Sequence, residues 1–124
     1  MSEKTSPGNT VLHLRFKLRV SPDVVLAHSR DAAERIASVD GLIWKIWLVE
    51  RERREVGGVY LFANREAAVA YLNHPIIEAL CSNPAVLSTE SHIWEVESAP
   101  SAITRGPLEH ARTIEQELEL AGGR

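Results

Sequence analysis

The segment Thr10 to Val20, TVLHLRFKLRV, alternates without a break: Leu12, Leu14, Phe16, Leu18 and Val20 against Val11, His13, Arg15, Lys17 and Arg19. A period of two over this length is a β-strand with one face buried. The chain must therefore build a sheet and cover one side of it. Its 124 residues suit one domain. A domain of that size can bury roughly two thirds of the surface its unfolded chain exposes. With 44% hydrophobic and 25% charged residues, wholesale disorder is excluded. Lys and Arg number 14 and Asp and Glu 17, a net charge of -3, which argues against nucleic acid or an anionic membrane as partner. No stretch approaches the roughly 18 apolar residues of a membrane span. Residues 1–9 are polar and are expected to be loose, with no apolar run that would make a secretory signal. The single cysteine, Cys81, leaves no internal disulfide and no cysteine-based metal cluster, and a cytoplasmic location is expected.

Further elements follow in order. Ser21-Pro22-Asp23 starts a helix, with a capping hydroxyl, a proline at the first position and an acid at the positive end of the dipole. Val25, Ser29, Ala32, Ala33, Ile36 and Ala37 form its small-residue stripe, and Asp40-Gly41 ends the unit. Leu42 to Val49 and Val56 to Ala63 read as a hairpin whose tip is the charge run Glu50-Arg51-Glu52-Arg53-Arg54-Glu55. Such a run could be a functional patch, but a solvated tip is the preferred reading. Asn64 caps a helix over 65–72, with Ala67, Ala68, Tyr71 and Leu72 facing in; His74-Pro75 breaks it and a short second turn follows. Val86 to Val96 is a fourth strand, residues 98–106 read as loop, and Pro107 to Ala121 as an amphipathic helix. The order β-α-β-β-α-β is a ferredoxin-like α+β arrangement, giving a loose N-terminus (1–9), one domain (10–98) and a C-terminal extension (99–124).

The hairpin sets Lys45 opposite Tyr60, Trp47 opposite Gly58 and Ile43 opposite Phe62. Leu42, Trp44, Ile46, Leu48, Val59, Leu61 and Ala63 then share a wholly apolar face, expected under the helices with Leu12, Leu14, Phe16 and Leu18. The second face would combine Lys45, Trp47, Gly58, Tyr60 and Phe62 with His13, Arg15 and Lys17. A register slip of one residue would exchange one strand's set. A face so aromatic and yet basic calls for a second sheet, leaving a lined cavity, and a homodimer supplies that sheet by symmetry. On the fourth strand either His92, Trp94 and Val96 or Ser91, Ile93 and Glu95 face the cavity; the first set is preferred.

Several of these residues carry a resemblance. Asp40-Gly41-Leu42-Ile43-Trp44-Lys45-Ile46-Trp47, Gly57-Gly58-Val59-Tyr60-Leu61-Phe62, Ala67 to Leu72 and Ser101 to Leu108 resemble the YdhR-type monooxygenases, grouped with antibiotic-biosynthesis-monooxygenase-like proteins. The resemblance covers roughly residues 10–110. It implies a dimeric α+β barrel and an oxygenase that needs no metal, flavin or haem and acts with O2 on aromatic or polyketide-like molecules.

Lys45 and Tyr60 suit a base or anion-stabilising pair, since burial lowers a lysine pKa and a phenol beside an ammonium gains acidity; a packing pair is the plainer reading. His13, near Arg15, could be the general base or a strand-surface histidine. Trp47 could stack on a planar ligand or pack an interface. Phe62, Gly58, Arg15, His92 and Trp94 complete the expected substrate lining, while Trp44 is expected in the core. No His and carboxylate cluster supports a metal site, and Cys81 is read as a small buried apolar residue. The preferred function is a cofactor-independent monooxygenase on a phenol or enol. An isomerase or cyclase with the same base, or a dimeric binder of aromatics, are the alternatives.

Overall fold

The computed structural model describes residues 8–108. Its elements are β1 (Thr10–Leu18), α1 (Pro22–Leu26), α2 (Ser29–Ala37), β2 (Leu42–Glu50), β3 (Glu55–Phe62), α3 (Arg65–Leu72), α4 (Pro75–Cys81), β4 (Val86–Glu95) and α5 (Ser98–Ile103). The strands form one antiparallel sheet in the order β2-β3-β1-β4, the expected ferredoxin-like α+β architecture.

Local chemistry sets the boundaries. The Ser21 side chain accepts from the Asp23 N–H, and Asn64 accepts from the Ala67 N–H at 2.8 Å. His74 caps α4 through Nδ1, which accepts from the Ile76 N–H at 3.1 Å, with Pro75 beginning the helix. Gly41 turns the chain into β2 at a φ of 81°, and a Cβ there would stand 2.5 Å from that of Ala67, so both conformation and space demand glycine. The charged tip is exposed, as expected of a solvated turn, and Arg51 reaches back to Asp23 at 3.1 Å.

Some boundaries differ from expectation. The first helix divides at Ala27-His28 into α1 and α2, and residues 98–103 are helical rather than loop. Asn9, placed in the loose segment, is buried, and its carbonyl accepts from the Val96 N–H. Pro107 and Leu108 are not helical; the rest of the helix expected over 107–121, like residues 1–7, lies outside the described residues. Cys81 is exposed, not buried, because it ends α4 on the solvent side.

The main correction concerns the faces. Lys45 does pair with Tyr60 and Trp47 with Gly58, but a bulge at Ile43 makes Leu42, not Ile43, the partner of Phe62. In β1, Leu12 pairs with Tyr60, Leu14 with Gly58 and Phe16 with Val56. Directly opposed residues of an antiparallel pair share a face. Tyr60 and Phe62 therefore join Leu12, Leu14, Phe16 and Leu18 in the core under the helices, with Ile36, Ala68, Tyr71 and Ile77. Lys45 and Trp47 follow them to that side. His13, Arg15 and Lys17 lie on the opposite face with Trp44, Ile46, Leu48, Val59 and Leu61. Trp44, Ile46, Leu48, Val59 and Leu61 of the set assigned to the helices thus lie on the other side of the sheet, where Leu61 is still buried, while the bulge turns Leu42 inward.

Candidate active site

The edge strand β2 and helix α2 enclose a cleft of about 200 Å³ lined by Ala33, Ile36, Ala37, Leu42, Ile43, Trp44, Lys45 and Trp47. The small side chains of α2 leave this space. Gly58 makes room from below, for a Cβ there would stand 2.6 Å from the Lys45 Cε and 3.3 Å from the Tyr60 ring. The Lys45 stem lies over that gap. Its Nζ sits 3.4 Å from the centroid of the Trp47 ring and 4.7 Å from that of Tyr60. No carboxylate pairs with Lys45 among the described residues; the ion pairs fall to Arg15, Lys17, Arg35 and Arg51. Burial without a counter-ion lowers the Lys45 pKa to about 7. The ring faces favour the ammonium and work against that shift, so the amine is held between its two protonation states near neutrality.

Tyr60 behaves differently from the expectation that its phenol gains acidity. Burial pushes it well above the ordinary tyrosine range, and the neighbouring Tyr71 adds to the shift. Tyr60 is a neutral hydroxyl, a donor or acceptor but not a base. The Tyr71 hydroxyl donates to it at 3.3 Å, and burial raises Tyr71 also, against a lowering by that hydrogen bond. Tyr71 in turn lines a second hollow, of about 520 Å³, between α2, α3 and the start of α4, together with Arg35, Asp40 and His74. Sequence reading placed Tyr71 in the core but missed this hydroxyl pair; a tyrosine on the inward face of an alanine-rich helix is the signal that could have pointed to it.

The remaining expected residues fall into two groups. Phe62 is wholly buried, stacked on Tyr60 at 6.0 Å with 12° between the rings, and is core rather than cleft wall. His13, Arg15, His92 and Trp94 lie on the open face. His13 is opposite His92 and Val11 opposite Trp94, so the preferred set of the fourth strand does share a face with His13. The His92 and Trp94 rings meet at 4.3 Å, and Arg15 lies 3.3 Å from Glu90 and 3.8 Å from Glu55. The sheet itself separates this group from Lys45, so His13 and Arg15 do not serve the cleft of their own chain. Trp44, expected in the core, is half-buried on the open side, where its indole N–H donates to the Pro107 carbonyl at 2.8 Å. Among the described residues no group of three or more His, Cys, Asp or Glu could hold a metal ion.

The fold is a ferredoxin-like α+β sheet with helices on one side, and an aromatic-walled amine lies on that side. The chain matches, over residues 11–107, the family model "Putative mono-oxygenase ydhR", and it belongs to that family. The class of enzyme is thus monooxygenase. No curated protein matches. Among solved structures the fold is similar to SnoaB, a cofactor-independent oxygenase from Streptomyces nogalater (15% identity, 72% of this chain and 93% of that one, TM-score 0.58). It is also similar to the ActVA-Orf6 monooxygenase of Streptomyces coelicolor in complex with nanaomycin D (18% identity, 74% and 90%, TM-score 0.57). A protein of unknown function from Nitrosomonas europaea, NE2512, is similar as well (21% identity, 73% and 91%, TM-score 0.63).

Proposed function

We propose that the protein is a cofactor-independent monooxygenase that oxidises an aromatic or polyketide-like phenol or enol in the cleft between α2 and β2. One observation carries the reading: a lysine amine without a carboxylate partner, walled by Trp47 and Tyr60, opens on an apolar cleft of a monooxygenase-family chain. The neutral Lys45 amine takes the substrate O–H proton, replacing His13 in the role of base. The ammonium so formed stays beside the oxyanion and stabilises it. The electron-rich anion passes an electron to O2, and recombination of the radical pair gives a peroxide at carbon. Loss of water leaves a carbonyl in place of a CH2 group. One oxygen atom enters the product; the other leaves as water with the hydrogen on that carbon and the proton that the Lys45 ammonium returns to the peroxide, and the substrate supplies all the electrons. The apolar wall of Ala33, Ile36 and Trp47 shields the intermediates from water.

Anthrone, a polycyclic ketone with a phenolic enol, is a suitable test substrate. One O2 should be consumed per product formed, and an anaerobic chamber should stop turnover. Undiminished anaerobic turnover with no change in mass would make the enzyme an isomerase and end the oxygenase reading.

The open face supports a homodimer. Ile46, Leu48 and Trp94 are 52%, 40% and 54% exposed there. The charges beside them are already paired within the chain, Arg15 with Glu55 and Glu90, and Lys17 with Glu55. A second copy can therefore meet this face without opposing like charges. No helix of the described residues is long and apolar enough to cross a membrane. A free, exposed cysteine suits a reducing compartment, and the cytoplasm is the proposed location.

A further inference from the structure

We propose that Lys45 is a covalent capture site for aromatic aldehydes and ketones, which it holds as an imine on Nζ. The inference goes beyond the oxygenase reading. It uses the same amine but none of the oxygen chemistry, so either can fail without the other.

Three features of the geometry support it. First, Nζ has no ion-pair partner among the described residues, so no carboxylate holds it as ammonium. A lysine desolvated in an apolar pocket is an activated nucleophile. The elements packed against it bring no charge: α2 presents Ala33, Ile36 and Ala37, and β3 presents Gly58 and the neutral Tyr60 hydroxyl. Second, Trp47 offers a flat wall 3.4 Å from Nζ, and it is 38% exposed, so a ring entering from solvent can stack on it. Third, the cleft beside the amine is flanked by the small side chains of Ala33 and Ala37 and measures about 200 Å³, room for a small fused aromatic.

The reaction balances without an oxidant or reductant. The nitrogen lone pair attacks the carbonyl carbon, and the C–O π pair moves to oxygen. The carbinolamine then loses that oxygen with both amine hydrogens as water, leaving a C=N bond to Lys45.

The test uses the full chain, 2-naphthaldehyde and sodium cyanoborohydride, which freezes the imine as a secondary amine. Peptide mapping by mass spectrometry then separates Lys45 from Lys4, Lys17 and the Met1 α-amine. An ordinary lysine, pKa about 10.4, is almost wholly protonated at neutral pH, so Lys45 should be labelled at least about 10-fold faster than Lys17 at pH 7. Its labelling should reach half its maximum near pH 7, where its own pKa lies. Labelling of Lys45 no faster than Lys17 overturns the proposal. So does labelling by formaldehyde but not by 2-naphthaldehyde, since the cleft would then exclude aromatics.

Discussion

On the side of the sheet under the helices, Tyr60, Phe62 and the leucines of β1 are closed off from water, and Lys45 is the charged-type side chain among them. On the other side, Ile46, Leu48 and Trp94 lie open, while Arg15 and Lys17 are matched by Glu55 and Glu90. Both faces mix apolar and ionisable groups, yet they treat charge in opposite ways. The open face neutralises its charges by pairing, which leaves a surface fit to meet another. The closed face leaves its amine unpaired and neutralises it by desolvation. A residue's type therefore does not distinguish the two faces; the presence or absence of a counter-charge does.

The largest expected difference between the faces is in stability. Phe62→Ala empties a fully buried ring site stacked on Tyr60 and should cost about 3–5 kcal/mol in urea unfolding. Next comes turnover: Lys45→Met removes the proposed base and should lower anthrone oxidation by on the order of 10²-fold. Its fold is retained, since a buried ammonium is no longer required.

The same amine gives a pH signature. Its folded pKa, about 7, lies below the ordinary lysine value. Between the two the unfolded chain binds the extra proton, so stability rises with pH across that window and is lowest below it. Urea midpoints should climb from pH 7 to pH 10, and this part of the slope should vanish in Lys45→Met. The smallest effect on the chemistry belongs to the open face. Ile46→Glu should convert the proposed dimer to monomer in sedimentation, yet change turnover per chain by no more than about twofold, in line with the roughly 0.5 kcal/mol of ordinary surface changes. A large loss of turnover there would mean that the open face takes part in the reaction.

Much of the fold was legible in the residues. The alternation of β1 gave its buried set correctly, because period two needs no partner to be read. The caps at Ser21 and Asn64 and the break at His74-Pro75 marked the starts of α1 and α3 and the boundary between α3 and α4, and the short charged tip set the β2–β3 register near Lys45 and Tyr60. What could not be read was the register of β3 against β1. Those strands are joined through α1, α2 and β2, so no turn fixes it, and a slip of one residue inverts every assignment of the hairpin. The wholly apolar set Trp44, Ile46, Leu48, Val59 and Leu61 looked like core under the helices, but it lies on the other side of the sheet, where Leu61 is buried and Ile46 and Leu48 are exposed. The pairing of Leu12 with Tyr60 decides it. That pairing moved Lys45 and Trp47 under the helices and left His13 and Arg15 behind the sheet. The Ile43 bulge, with no proline or glycine to mark it, was equally silent.

The central claim is that ligand chemistry belongs to the closed face. Its most direct test is a ¹H–¹⁵N titration of the protein with 1-naphthol, followed residue by residue. The account predicts shifts at Ala33, Ile36, Ala37, Lys45 and the Trp47 indole, with His13, Ile46, His92 and Trp94 unmoved. Shifts concentrated on Ile46, Leu48, His92 and Trp94, with α2 unmoved, would contradict it.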